Sequence, residues 1–195
     1  MPITLFRLFQ ATFVVGALLS LVMLSQMASA TTPACTAMFK APAKQLHTGE
    51  SVDLCALTAG KPVLVVNTAS YCGYTRQFSG LESLHTTYAP RGLVVLGFPS
   101  DSFNQEDDDS AKTADVCYRN YGVTFVMLEP APVKGSKAQP VFQQLAEKSR
   151  QPAWNFNKYV ISADGESIQH FNSGTRPDSL DLKQAIEQSL VEPNS

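Results

Sequence analysis

Two continuous apolar runs, Pro62–Asn67 and Leu93–Phe98, constrain this chain more than any other feature. Each is too short for a buried helix, rich in Val and Leu, and bounded by turn residues. Each therefore reads as a strand covered on both faces, the habit of a parallel sheet. Between them, Phe78, Leu81, Leu84 and His85 recur at helical spacing, so a helix is expected from about Thr75 to Tyr88, ended by Pro90-Arg91-Gly92. The polar loop Pro99–Asp109 leads to a helix near Ala111–Tyr121, stopped by Gly122, and to a third strand at Val123–Leu128. A Pro- and Gly-punctuated loop, Glu129–Pro140, precedes a helix at Val141–Lys148. Asp164-Gly165 joins the segments Asn157–Ser162 and Ser167–Asn172 as a hairpin, and a last helix covers Pro177–Leu190 with Asp178 near its start. A short strand or hairpin is expected around Glu50–Cys55. The alternation specifies an α/β fold: a central mixed sheet flanked by helices, with an N-terminal hairpin.

At 195 residues, with 44% apolar and 16% charged side chains, the chain suits one domain with a real core. A formal charge of −2 leaves no basic footprint, which argues against nucleic acid as a partner. Residues 1–30 differ from the rest. Arg7 precedes the apolar run Phe13–Leu24, and Ala28-Ser29-Ala30 has the small-x-small form of a signal-peptidase site. We read 1–30 as a secretory signal peptide and 31–195 as the mature domain, exported and periplasmic. The alternative is a membrane anchor formed by an uncleaved signal. Thr32-Pro33-Ala34 before Cys35 lacks the aliphatic residue of a lipidation site.

Export means that Cys35, Cys55, Cys72 and Cys117 meet an oxidising compartment. Four cysteines allow three pairings, and sequence alone does not choose among them. Cys35 with Cys55, on either side of Gly49-Glu50, is the simplest structural staple, closing a loop for about 3 kcal/mol. No CxxC motif is present, because Thr75 stands third after Cys72. The scattered His47, His85 and His170 give no metal-ligand spacing and read as surface or packing residues. Cys72 itself falls where the first apolar run turns towards its helix, a place where backbone N–H groups and the helix dipole favour thiolate. Its alternative is a small buried hydrophobe at a strand end.

The run Asn67-Thr68-Ala69-Ser70-Tyr71-Cys72-Gly73-Tyr74-Thr75 resembles the peroxidatic motif of the glutathione peroxidase family. Leu96-Gly97-Phe98-Pro99-Ser100 resembles its second signature and Trp154-Asn155-Phe156 its third, while Tyr121-Gly122-Val123-Thr124-Phe125 falls in the family's place. The resemblance, to the cysteine-containing thioredoxin-dependent type, covers about residues 50–190 and implies a thioredoxin-like fold. It also implies a peroxidase in which Cys72 attacks a hydroperoxide and becomes a sulfenic acid. The Trp154 indole and the Asn155 amide would face the sulfur, against the alternative of Trp154 as core filler. The family's glutamine, three residues after the motif proline, is replaced here by Ser102 in a loop one residue shorter. Ser102 is the positional equivalent and Gln105 its rival. The resemblance further implies that Cys117 resolves the sulfenic acid into an intramolecular disulfide, reached by local unwinding; the alternative is a core-facing helix cysteine. The run Glu106-Asp107-Asp108-Asp109 complements the helix dipole, or else eases that unwinding.

The resemblance implies no cofactor, only a thiol co-substrate: a periplasmic thioredoxin-like protein or glutathione. The short loop Glu129–Pro140 resembles that of the monomeric branch, with an open site admitting hydrogen peroxide and organic or lipid hydroperoxides. The competing reading is a non-catalytic redox sensor or a thioredoxin-like partner-binding protein. A thiol-disulfide oxidoreductase is disfavoured by the missing CxxC.

Overall fold

The computed structural model describes residues 35–191. The signal-peptide reading of residues 1–30 lies outside them. A single turn of 3-10 helix at Ala37–Phe39 leads to a small hairpin, β1 (Ala43–Lys44) against β2 (Ser51–Val52). The Asp53 carboxylate then accepts the Ala56 N–H and starts α1 (Leu54–Thr58). Cys55 therefore rides on a helix rather than on the expected strand. It is bonded to Cys35 across a Cα–Cα distance of 5.2 Å, so the disulfide holds the N-terminal segment to α1.

The main sheet has the order β5-β4-β3-β6-β7. β3 (Val63–Thr68) runs parallel to β4 (Val94–Pro99), which runs parallel to β5 (Val126–Met127). β6 (Lys158–Ile161) and β7 (Ile168–Phe171) close the other side antiparallel. This is a thioredoxin-like arrangement. Every residue of β3 is buried, and alternate side chains serve two cores. Leu64 and Val66 join Phe78, Leu81, Leu84, Cys72 and Cys117 on one face, whereas Val63 and Val65 join Phe98, Phe142, Leu145 and Tyr159 on the other. α2 (Gln77–Tyr88) and α5 (Leu180–Val191) cover the first face, and α4 (Pro140–Lys148) covers the second. Each fully buried Leu or Phe contributes roughly 1.5–3 kcal/mol.

Three expected elements differ from their patterns. The third strand shrinks to β5 because Thr124 is satisfied elsewhere. Its N–H and hydroxyl both donate to the Glu82 carboxylate of α2, at 2.8 and 2.5 Å. The helix expected over Ala111–Tyr121 is α3 (Ser110–Ala114), continued by a π-helical turn at Asp115–Asn120, which Gly122 (φ 63°) ends. α5 begins at Leu180 rather than near Pro177, since Ser179, not Asp178, accepts the Leu182 N–H. Gly97 of the second signature lies where β4 meets β5, and a Cβ there would overlap the Met127 sulfur.

Candidate active site

β3 ends at Thr68, and residues 69–76 form a tight polar turn before α2. Thr75 organises it: its Oγ1 accepts the Cys72 N–H at 3.1 Å and lies 2.7 Å from the Cys72 carbonyl and 2.9 Å from that of Ala69. The hydroxyl thus does the work of a helix turn, and α2 proper starts only at Gln77. Cys72 therefore sits in the turn, five residues before the helix, which starts two residues later than the expected Thr75. What its sulfur receives is one backbone N–H, that of Tyr74, at 3.5 Å. Cys72 is free and 8% exposed, beside Tyr71, which is 60% exposed.

The segment carrying Trp154 and Asn155 is drawn to the same strand end by Asn67. The Asn67 amide donates to the Trp154 carbonyl at 3.0 Å and accepts the Asn157 N–H at 3.0 Å, and its backbone carbonyl accepts the Phe156 N–H at 2.6 Å. Phe156 takes a left-handed conformation (φ 60°), uncommon for a bulky residue, and its fully buried ring meets Phe78 edge-on at 5.3 Å. That reversal sinks Phe156 into the core and leaves Trp154 41% exposed, its indole against Phe103 at 5.3 Å. The exposed Lys134, from the loop after β5, also lies over the Phe103 ring, its ammonium 4.4 Å from the ring centre.

The loop after β4 supplies the third component. Gln105 lies against both others: its carbonyl accepts the Tyr71 N–H at 2.9 Å, and its Oε1 accepts the Asn155 amide at 3.1 Å. Asn155 is wholly buried, and its Oδ1 has no partner among the described residues. Ser102 is placed elsewhere. Its hydroxyl accepts from Ser100 Oγ at 2.9 Å and from the Val133 N–H at 3.0 Å, bracing the loop after β5. The structure therefore brings Gln105, Asn155 and the Cys72 turn together and leaves Ser102 facing another loop.

Cys117 is free and 1% exposed, in the π-helical turn and in the same packed cluster as Cys72. Burial, reinforced by the charge of Glu106, pushes its thiol up to about 12. A thiol so held stays protonated at neutral pH and must leave its site to act as a nucleophile. Three contributors escaped the sequence reading: Asn67 as the pin of the tryptophan segment, Gln77, and Lys158. The Lys158 side chain is wholly buried, and its Nζ donates to Gln77 Oε1 and, at 2.7 Å, to the Thr175 carbonyl. A lysine in an otherwise apolar strand was the available signal.

Comparison with known proteins agrees with this geometry. Residues 38–146 match the family model described as glutathione peroxidase. A glutathione peroxidase-like peroxiredoxin of Chlamydomonas reinhardtii is 43% identical over 62% of this chain and 78% of its own length. A hydroperoxy fatty acid reductase of Synechocystis is 40% identical over 68% of this chain and 86% of its own. The apo crystal structure of Trgpx superposes with a TM-score of 0.63 at 30% identity, covering 85% of this chain and 99% of that one. The chain belongs to the glutathione peroxidase family and is a peroxidase that works with a thiol co-substrate.

Proposed function

We propose that the protein is an exported two-cysteine peroxidase that reduces hydrogen peroxide and organic or lipid hydroperoxides. The Cys72 thiolate attacks the distal peroxide oxygen, the O–O bond breaks, and the sulfur becomes a sulfenic acid while water or an alcohol leaves. Asn155 and Gln105 orient the peroxide through their amides, and Trp154 covers the sulfur from the exposed side. Cys117 then displaces the sulfenic oxygen as water, giving a Cys72–Cys117 disulfide that an external dithiol reopens.

One observation carries this reading: the Gln105–Asn155 hydrogen bond, formed while the Gln105 carbonyl is tied to Tyr71 beside the sulfur. That contact supports Gln105, rather than Ser102, as the amide of the site. Organic peroxides are supported by the half-open aromatic edge of Trp154 on Phe103, and a relative is itself named a hydroperoxy fatty acid reductase. The Cys35–Cys55 disulfide supports an oxidising compartment. The donor is then a periplasmic thioredoxin-like protein, and the molecule works as a monomer.

Replacing Cys117 tests the cycle. Cys117→Ser should reduce one equivalent of peroxide at the normal rate and then lose at least about 90% of its turnover with a thioredoxin-type donor. Unchanged turnover with that donor would remove Cys117 from the mechanism.

A further inference from the structure

Between the Cys72 turn and the Cys117 helix lies a buried carboxyl group that the reaction above does not use. Glu106 is 8% exposed, and its Oε1 accepts the Thr113 hydroxyl at 3.0 Å and the Asp107 N–H at 3.0 Å. Thr113 is itself fully buried and stands one helical turn before Cys117. The residues flanking Glu106 are tied to the peroxidatic turn: the Gln105 carbonyl accepts the Tyr71 N–H, and Asp107 accepts the Tyr71 hydroxyl at 2.5 Å. A movement of Tyr71, the neighbour of Cys72, therefore pulls on both sides of Glu106. The backbone beyond Thr113 is ready to yield, because α3 spans five residues and gives way to a π-helical turn that holds Cys117.

We propose that Glu106 is the catch of the resolving step, its docked carboxyl holding the Cys117 helix closed until Cys72 is oxidised and its release freeing the thiol. This rests on Cys117 being the resolving residue. The chemistry needs no further reagent: Cys72–SOH and Cys117–SH give the disulfide, and the hydroxyl leaves as water with the thiol proton. Glu106 acts as a positioning residue, through Thr113.

The titratable groups facing Glu106 are Asp101, which accepts its N–H at 3.1 Å, Asp107, Tyr71 and Cys117; Lys112 pairs with Asp107 at 3.3 Å. Burial raises the Glu106 carboxyl above its ordinary 4.5, against the lowering effect of its hydrogen bonds. A carboxyl raised on docking favours the docked state below that ordinary value and loses the preference as pH rises through the raised one. Release of Cys117 should therefore quicken with pH across that window. Asp107 does not share it, since the Tyr71 hydroxyl holds Asp107 below the usual carboxylate range.

The test separates the two chemical steps in single turnover, following peroxide loss and, by rapid alkylation and mass measurement, disulfide formation between pH 4 and 8. Glu106→Gln keeps the acceptor for Thr113 but removes the charge. It should leave the peroxide step within about twofold, slow disulfide formation by about tenfold at pH 7, and flatten its rise with pH. Thr113→Val, which strips a donor from the buried carboxylate, should speed disulfide formation and so decides the matter even where Glu106→Gln fails to fold. Wild-type rates and pH profile in the variants that fold would overturn the catch. A disulfide-free product in wild type, or an unaffected Cys117→Ser, would instead remove the resolving role on which the catch depends.

Discussion

The two sides of the cysteine site are held by different chemistry. On one side, residues 154–157 are fastened to the end of β3 by Asn67, through amide and backbone groups. Buried hydrogen bonds of that kind are expensive to break, because each freed group is left without water. On the other side, residues 101–120 are held largely by carboxylates: Asp101 on the Glu106 N–H, Glu106 on Thr113, Asp107 on Tyr71, and Asp109 on the Ala111 N–H. These bonds border solvent or respond to charge, and the helix they support is one turn long before it loosens. The difference matches the two steps of the proposed cycle. Peroxide cleavage needs groups already in place, whereas forming a disulfide requires two Cα atoms to come within about 7 Å of each other. In that cycle the part that has to travel is the second side beyond Gln105.

The sharpest way to break this contrast is to loosen the fixed side. Asn67→Ala removes both amide bonds to the tryptophan segment, so Trp154 and Asn155 should lose their register at the end of β3. The expected result is a fall of about a hundredfold in the rate of peroxide reduction, equivalent to about 2.7 kcal/mol, with disulfide formation unaffected once sulfenic acid is present. Stopped-flow measurement of both steps checks it. An equal loss in both steps would mean that the two sides move as one body.

The fixed side also carries a titrating group, but its window lies above neutrality. Burial lowers Lys158 from 10.5 to about 7. A lysine depressed on folding favours the native state most when the group is neutral in both states, above 10.5; that advantage is lost as pH falls towards 7. Lys158→Met should therefore flatten stability against pH between 7 and 10.5, relative to wild type. The change in slope should accumulate to on the order of 2 kcal/mol in urea unfolding, because water entering an opened interior softens the full penalty. Parallel curves for the two proteins would show that the lysine stays charged on its carbonyl acceptors.

What could be read in the sequence follows the same division. β3, β4 and the Asp164-Gly165 hairpin announced themselves because continuous apolar runs and a left-handed glycine (φ 77°) have few alternative uses. The Cys35–Cys55 staple was legible as the simplest of three pairings, although the helix under Cys55 was not. Elements settled by side chains from elsewhere were harder. β5 is cut short by Glu82 of α2, and α2 starts late because Thr75 caps the turn before it. Nothing in the local pattern of Val123–Leu128 or Tyr74–Gln77 reports those partners. The motif residues Cys72, Trp154 and Asn155 were legible by resemblance, but Asn67 had no evident task until its bonds to residues 154–157 could be seen.

The choice between Ser102 and Gln105 yields the smallest predicted effects. By resemblance the loop is one residue shorter than the family pattern, so counting from Pro99 lands on Ser102. Geometry recovers the difference at Asn104, whose left-handed backbone (φ 56°) is a conformation asparagine tolerates better than most residues. That reversal returns the chain to the site, with the Asn104 N–H held by the Asp101 carbonyl at 2.9 Å and the Gln105 amide against Asn155. Gln105→Ala should slow peroxide reduction by about tenfold, the loss of one well-placed hydrogen bond at about 1.4 kcal/mol. Ser102→Ala should change it by less than about twofold, because its hydroxyl serves Ser100 and Val133 rather than the sulfur. The ratio between the two variants is the measurement of interest. A Ser102→Ala loss as large as that of Gln105→Ala would mean that the bracing of the loop after β5, and not the amide itself, keeps the mobile side in register.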